Sequence, residues 1–448
     1  MKPARLKRLK NLLWLYFWLL IFEGALRRWV LPGLSNPLLL VRDPIALLAV
    51  IWAWPLLRQR RWSQWLLPLY LIAPLAFLLA ISVGHGDIFT ALYGCRILVM
   101  HLPLIFVFAA AFNREDVIRF AWVMLWLSIP MAMLIATQSR LPDTHFLNVG
   151  AGGVGTATFT GVGDRFRPPG TFSFINGVSQ FFTLGTASLF VVLYGAPIRQ
   201  RGRLFCALAG IALVVAIPVS ISRSLLAGNL QVTAALIIAL LLSRARVLPV
   251  ISGLLALVFA SWIATTLPAF QQTAEAFTAR WEMAAANEAE NTDSNLNSAW
   301  GVFESRILSG FTRPLASLES IPALGYGIGV GTNVGAQRVS GELTFVVGEG
   351  AWEATLGELG VPLGLAFLLW RFLLAVWVLR LALRASAKGN RLPLILLGAS
   401  FLNVLGGQFG QPTGLGFVVV SAGLTLAACN DGAPAMVRIQ PQPSALPT

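Results

Sequence analysis

The sequence predicts an all-α integral membrane protein of about twelve transmembrane helices, with one large loop packed over the outer face. Composition is the first reason: of 448 residues, 56% are hydrophobic and only 12% charged, which excludes an ordinary soluble domain. The second is that apolar runs of about 20 residues recur along the chain, the length that crosses about 30 Å of hydrocarbon. The third is that Lys and Arg gather in alternate loops, as they do on the cytoplasmic side of membrane proteins. That bias also accounts for the net charge of +14, so the lipid bilayer is the expected partner and nucleic acid is not. Three cysteines, Cys95, Cys206 and Cys429, lie far apart without metal or redox spacing.

The N-terminus, MKPARLKRLK, precedes a long apolar run without a small-residue cleavage site, which reads as a retained first span. Spans are expected at 11–31, 37–57, 65–83, 97–112, 118–137, 172–196, 204–220, 224–242, 247–267, 352–379, 392–407 and 413–429. With the N-terminus cytoplasmic, the inner loops, the N-terminal segment and Arg438 hold 20 of the 33 basic residues, including all four Lys. Both termini are then cytoplasmic. The chain divides into nine helices with short loops over 1–266, the large loop over 267–351, three helices over 352–429 and a Pro-rich, disordered cytoplasmic tail over 430–448.

The remaining basic residues are nearly all Arg at the outer rim, where the charge rule predicts few. Arg371 is the exception, expected near the inner end of its span. Arg without Lys suggests an anionic ligand, because the guanidinium fork matches carboxylate and phosphate. In the first hairpin Glu23 and Arg27 are four apart and share a helix face, while Arg42 and Asp43 begin the returning span. These charges either neutralise one another or hold a phosphate. Arg96 and His101 sit at the start of the fourth expected span, with a structural role favoured for His101.

Between the fifth and sixth spans a Gly/Thr-rich stretch leads to Arg165 and Arg167, and Pro168-Pro169-Gly170 stiffens the entry to the next span. Asn176 falls in the first turns of that span. Arg223, in ISRSLLAG, occupies a connection of a few residues and is held close to the bilayer surface. The cost of an Arg there favours a substrate role over an interface anchor.

The large loop carries Arg280, Arg306, Arg313 and Arg338 and no Lys. Its glycine run, GYGIGVGTN, superficially resembles a dinucleotide loop, but no strand precedes it and it lies away from the cytoplasm. Glycines there allow unusual backbone angles and close approach. The loop ends in VVGEGAWEATLGELG, with Glu349 where the chain re-enters the bilayer.

RPPGTFSFINGVSQF, ISRSLLAG, the long loop, ESRILSGFTRP, GYGIGVG and GEGAWEATLGELGVPLGL occur in that order. Together they resemble the O-antigen polymerase and O-antigen ligase superfamily of bacterial envelope glycosyltransferases, over most of the chain from Arg165 to Gly364. The resemblance implies an inner-membrane enzyme that takes glycan from an undecaprenyl-diphosphate donor at the periplasmic face, with no metal or nucleotide cofactor. It also implies a flippase or chain-length regulator of the same pathway as partner. Essential arginines of that superfamily map onto Arg223 and Arg306, and Arg167 matches the Arg ahead of GTF. Catalysis is assigned to Glu349, Arg223 and Arg306, and substrate binding to Arg165, Arg167, Asn176, Arg280, Arg338, Arg27 and Arg42.

One departure concerns the base. The superfamily often has a His about nine residues before an E-x-G pair; here the pair is Glu358 and Gly360, and the matching residue is Glu349. Its carboxylate either serves as general base, or pairs with a rim Arg or caps the helix starting near Ala351. The function the resemblance implies is polymerisation of lipid-linked repeat units, with a ligase and, from another class, a lipid-linked glycan transporter as alternatives. Ionisable residues concentrated at span ends favour rim chemistry over transport.

The charge bias predicts that reporters fused at Asn291 and after Asn430 give opposite compartment signals; matching signals would sink the topology.

Overall fold

The computed structural model describes residues 2–58, 62–152, 167–195, 197–248, 309–316, 318–341, 347–348 and 350–430. All regular structure among them is helical. The longer helices are α1 (Pro3–Ala25), α2 (Asp43–Arg58), α3 (Ser63–Ser82), α4 (Ile88–Arg96), α5 (Leu104–Ala111), α6 (Arg114–Gln138), α7 (Ile175–Gly195), α8 (Gln200–Val219) and α9 (Arg223–Leu242). After them come α10 (Ser309–Ala316), α11 (Asn333–Ser340), α12 (Ala351–Ala387), α13 (Leu392–Gly398), α14 (Phe401–Gly406) and α15 (Pro412–Cys429). Among the described residues, ten helical stretches are long and apolar enough to cross a membrane. The ninth expected span, 247–267, lies outside the described residues from 249 onward, as do most of 267–351 and the tail beyond 430.

Alternate connections collect at one end of the bundle. There Lys10 pairs with Asp116 at 2.5 Å, and Arg114 donates to Asn390 at 3.1 Å and to the Gly195 carbonyl at 3.0 Å. Arg391 donates to Ser243 at 2.7 Å, and Asn430 to the Ala109 carbonyl at 2.9 Å. We call this the lysine end and its opposite the far end. The helices alternate between the two as the Lys and Arg pattern requires.

Three expectations need correction. The fourth span begins at Ile88, not 97, because Asp87 caps it by accepting the Thr90 amide. Arg96 and His101 therefore sit inside the span, where a π-helical turn at Ile97–His101 joins α4 towards α5. The eleventh span, 392–407, is two short helices broken at 399–400. Their combined rise of about 20 Å falls short of the hydrocarbon thickness, so the 407–411 connection turns inside the bundle. Arg371 is not near the inner end of its helix, because α12 runs on to Ala387.

α12 itself breaks at Gly360, whose φ is 72°. Pro362 has no N–H to give the Glu358 carbonyl, and the Val361 amide turns instead to Ala323 at 3.1 Å. The glycine run supplies both missing donors. Tyr326 N donates to the Gly357 carbonyl at 2.7 Å, and Gly327 N to the Glu358 carbonyl at 3.1 Å. On its other side the run presses against α4 and the α3–α4 turn, where His85 N donates to the Tyr326 carbonyl at 3.1 Å. Gly329, at φ 97°, lies so close that a Cβ there would stand 2.1 Å from the Thr90 carbonyl.

Gly329→Ala should therefore lower the detergent melting temperature more than Gly86→Ala. Both positions have positive φ, which alone costs about 1–3 kcal/mol, but a Cβ at Gly86 meets nothing within 4 Å. Equal losses in the two variants would show that the run does not wedge between α4 and α12.

Candidate functional site

Beneath the glycine run lies a cavity at the far end. One face of α12 lines it with Ala351, Ala354, Thr355 and Glu358, which recur at the three- and four-residue spacing of a helix face. Gly331 and Gln411 face them from the glycine run and from the start of α15. Phe367 and Phe409 belong to its apolar wall, their rings 6.4 Å apart edge to face. The Glu358 carboxylate accepts the Gly331 amide at 2.6 Å.

Several helix N-termini point toward this region. Asn176, in the first turn of α7, donates to Gln411, the residue that precedes α15, at 3.1 Å. Gln411 in turn donates to Gln408 at 2.6 Å. One turn further along α7, Ser179 shares a hydrogen bond of 2.7 Å with Ser222, and Ser222 another of 3.0 Å with Ser224. Ser222 caps α9 by accepting the Leu225 amide at 3.3 Å, which makes Arg223 its first residue. The first turns of α7, α9, α12 and α15 thus approach one another. Their free amides and aligned dipoles favour an anion there. Just before this cap Ile221 has φ 48°, a conformation costly for a β-branched residue and one that recurs at functional sites.

Of the expected site residues, Asn176 bonds Gln411 on the cavity wall, and Arg223 starts α9, whose cap Ser222 bonds Ser179 one turn along α7 from Asn176. Arg167 opens the segment that leads into α7. That segment is fixed by Gln138, which accepts from Gly170 N at 2.8 Å, and by Arg28, which donates to the Gly170 carbonyl at 2.9 Å. Arg27 and Arg42 are buried with internal partners. Arg27 donates to the Ser35 carbonyl at 2.8 Å and to Ser173 at 2.9 Å, while Arg42, only 1% exposed, pairs with Glu23 at 2.7 Å. Next to this pair Asp43 accepts from Arg96 at 2.7 Å and bonds His101 at 3.0 Å, and the other His101 nitrogen bonds Tyr16 at 3.0 Å. These pairs are the neutralisation weighed for the first hairpin, and they give His101 two internal partners. Glu349, Arg306, Arg165 and Arg280 lie outside the described residues.

Arg338 stands apart from the cavity. Its guanidinium forks onto Asp87 at 2.9 and 3.1 Å and covers the Phe89 ring at 4.8 Å, pinning α11 to the start of α4. The hydrogen bonds from Arg338 and from Thr90 hold the Asp87 carboxyl well below the usual carboxylate range, and Asp87 raises Arg338 in return.

The sequence reading used Glu358 only as half of a motif and missed its place in the cavity. The signal was the α12 face of small residues ending in a carboxylate. It also missed Gln408, Gln411 and the Ser179–Ser222 pair, whose partners lie on distant segments.

Because the Asp87 value lies below the ordinary one near pH 3.9, the Arg338 tie is fully present above about pH 5 and is lost as the pH falls below the ordinary carboxylate range. Asp87→Asn should reduce amide protection across 333–340 at neutral pH, and acidified wild type should behave the same way. Unchanged protection in Asp87→Asn would show that the pair does not hold α11. Compared with known families and with curated proteins, the chain matches no family model and no curated sequence.

Proposed function

We propose that the chain is a metal-independent glycosyltransferase of the bacterial inner membrane. It polymerises undecaprenyl-diphosphate-linked repeat units at the periplasmic face, with the lysine end and both termini in the cytoplasm. Glycosyl transfer from a lipid diphosphate needs positive charge on the leaving diphosphate and a base near the acceptor hydroxyl. The observation that carries the reading is Arg223 at the start of α9, whose cap Ser222 bonds Ser179 of α7, the helix whose Asn176 holds Gln411 on the wall of a cavity that contains a carboxylate. A guanidinium and helix N-termini supply the positive charge without a metal. The order of sequence motifs adds to this. Arg306 takes the same role from the large loop by the superfamily resemblance alone.

Purified protein with a lipid-diphosphate oligosaccharide tests the class. A product ladder means polymerase, a single transfer means ligase, and no reaction favours a transporter of lipid-linked glycan. Arg223→Ala should lower the initial rate by about 10²–10³-fold, the usual loss on removing one electrostatic stabiliser of developing charge. Arg223→Lys should also be strongly impaired, since it keeps the charge and loses the fork. Normal product from Arg223→Ala at normal expression would remove Arg223 from the site.

A further inference from the structure

Glu358 is the only carboxylate among the described residues that line the far-end cavity. It is fixed twice to the glycine run. Its main-chain carbonyl accepts Gly327 N at 3.1 Å, and its side chain accepts Gly331 N at 2.6 Å. Gly331 has the room this contact needs, since a Cβ there would meet Glu358 Oε1 at 2.8 Å. No cation forms a salt bridge with Glu358 among the described residues. The other carboxylates of the far half that are well buried behave differently, since Glu23 and Asp43 each have an arginine partner. A carboxylate inside a transmembrane bundle, held by the backbone and without a countercharge among the described residues, is costly to keep for structure alone.

We infer that Glu358 is a catalytic residue, the group that takes the proton from the acceptor hydroxyl, and this rests on the glycosyl-transfer reading above. The acceptor oxygen forms its bond to the anomeric carbon of the donor sugar as the bond from that carbon to the diphosphate oxygen breaks. The electron pair leaves with the lipid diphosphate, on the Arg223 side, and the hydroxyl proton passes to the Glu358 carboxylate. The Gly331 amide orients that carboxylate, and the pairing of the glycine run with α12 fixes its position before substrate arrives, as catalysis by positioned groups requires.

The alternative is that Glu358 only tethers Gly331. The two roles part company in Glu358→Gln, whose amide oxygen still accepts the Gly331 amide but cannot take a proton. The experiment measures initial transfer rates across pH with purified full-length protein and a lipid-diphosphate oligosaccharide, alongside melting temperature and binding of the donor lipid. Glu353→Gln is the control. Glu353 is an exposed carboxylate in the first turn of the same helix, lying over Gly348 outside the Glu358 contact. Glu358→Gln should keep its melting temperature and donor binding, lose about 10²–10⁴-fold in rate and lose the acid limb of the wild-type pH profile. Glu353→Gln should keep the wild-type rate. If Glu358→Gln transfers sugar as wild type does with the same acid limb, the residue is a tether and the inference falls while the proposed function stands. Full transfer by Glu358→Gln with loss in Glu349→Gln would move the base to Glu349. If the wild type transfers nothing from the lipid diphosphate, the inference and the proposed function fall together.

Discussion

The far end of this protein depends on how a broken transmembrane helix satisfies its backbone. Inside a bilayer an unpaired carbonyl costs several kcal/mol, so a helix breaks only where something else supplies the lost donors. At Gly360 the supplier is the glycine run, which gives Tyr326 N and Gly327 N to the carbonyls that Val361 and Pro362 leave unmet. That exchange requires main chain to lie on main chain, which the absence of side chains at Gly325 and Gly360 permits. The same pairing sets the orientation of the α12 face below it, and therefore the position of Glu358 and the shape of the cavity.

The second break follows the same rule with a different donor. The two short helices α13 and α14 stop inside the bundle and leave carbonyls exposed at 404 and 407. Arg371, 1% exposed, donates to both at 2.9 Å and stacks on Phe409 at 4.0 Å. An arginine in mid-helix thus completes a half-helix end and fixes the 407–411 connection, which brings Gln408 and Gln411 to the cavity. Arg28 does comparable work on the other side, holding the entry to α7 through four backbone carbonyls.

These uses divide the far-end arginines by task. Arg28 and Arg371 serve backbone carbonyls, Arg42 and Arg96 neutralise buried carboxylates, and Arg338 ties a loop helix to the bundle. Arg223 differs in its setting, at the start of a helix among the first turns of others, where positive potential is added to positive charge. That concentration favours an anion and gives Arg223 a place in the proposed chemistry that Arg27 and Arg42 do not share.

By itself the sequence determined the membrane class, the approximate spans and which helix ends share a side, because hydropathy and the Lys/Arg bias are properties of each segment in isolation. It also put Asn176 and Arg223 at the rim, from their positions at helix starts. Only the tertiary structure decided that Arg42 pairs with Glu23, that the 392–407 run is broken, and that the glycine run approaches protein backbone as well as a cavity. It also decided that Glu358 faces that cavity. The physical reason is that partner choice in a bundle is a contest among groups far apart in the chain. Arg42 is 19 residues from Glu23, and Gly331 is 27 from Glu358. An arginine looks the same in sequence whether it holds a carbonyl, a carboxylate or a phosphate.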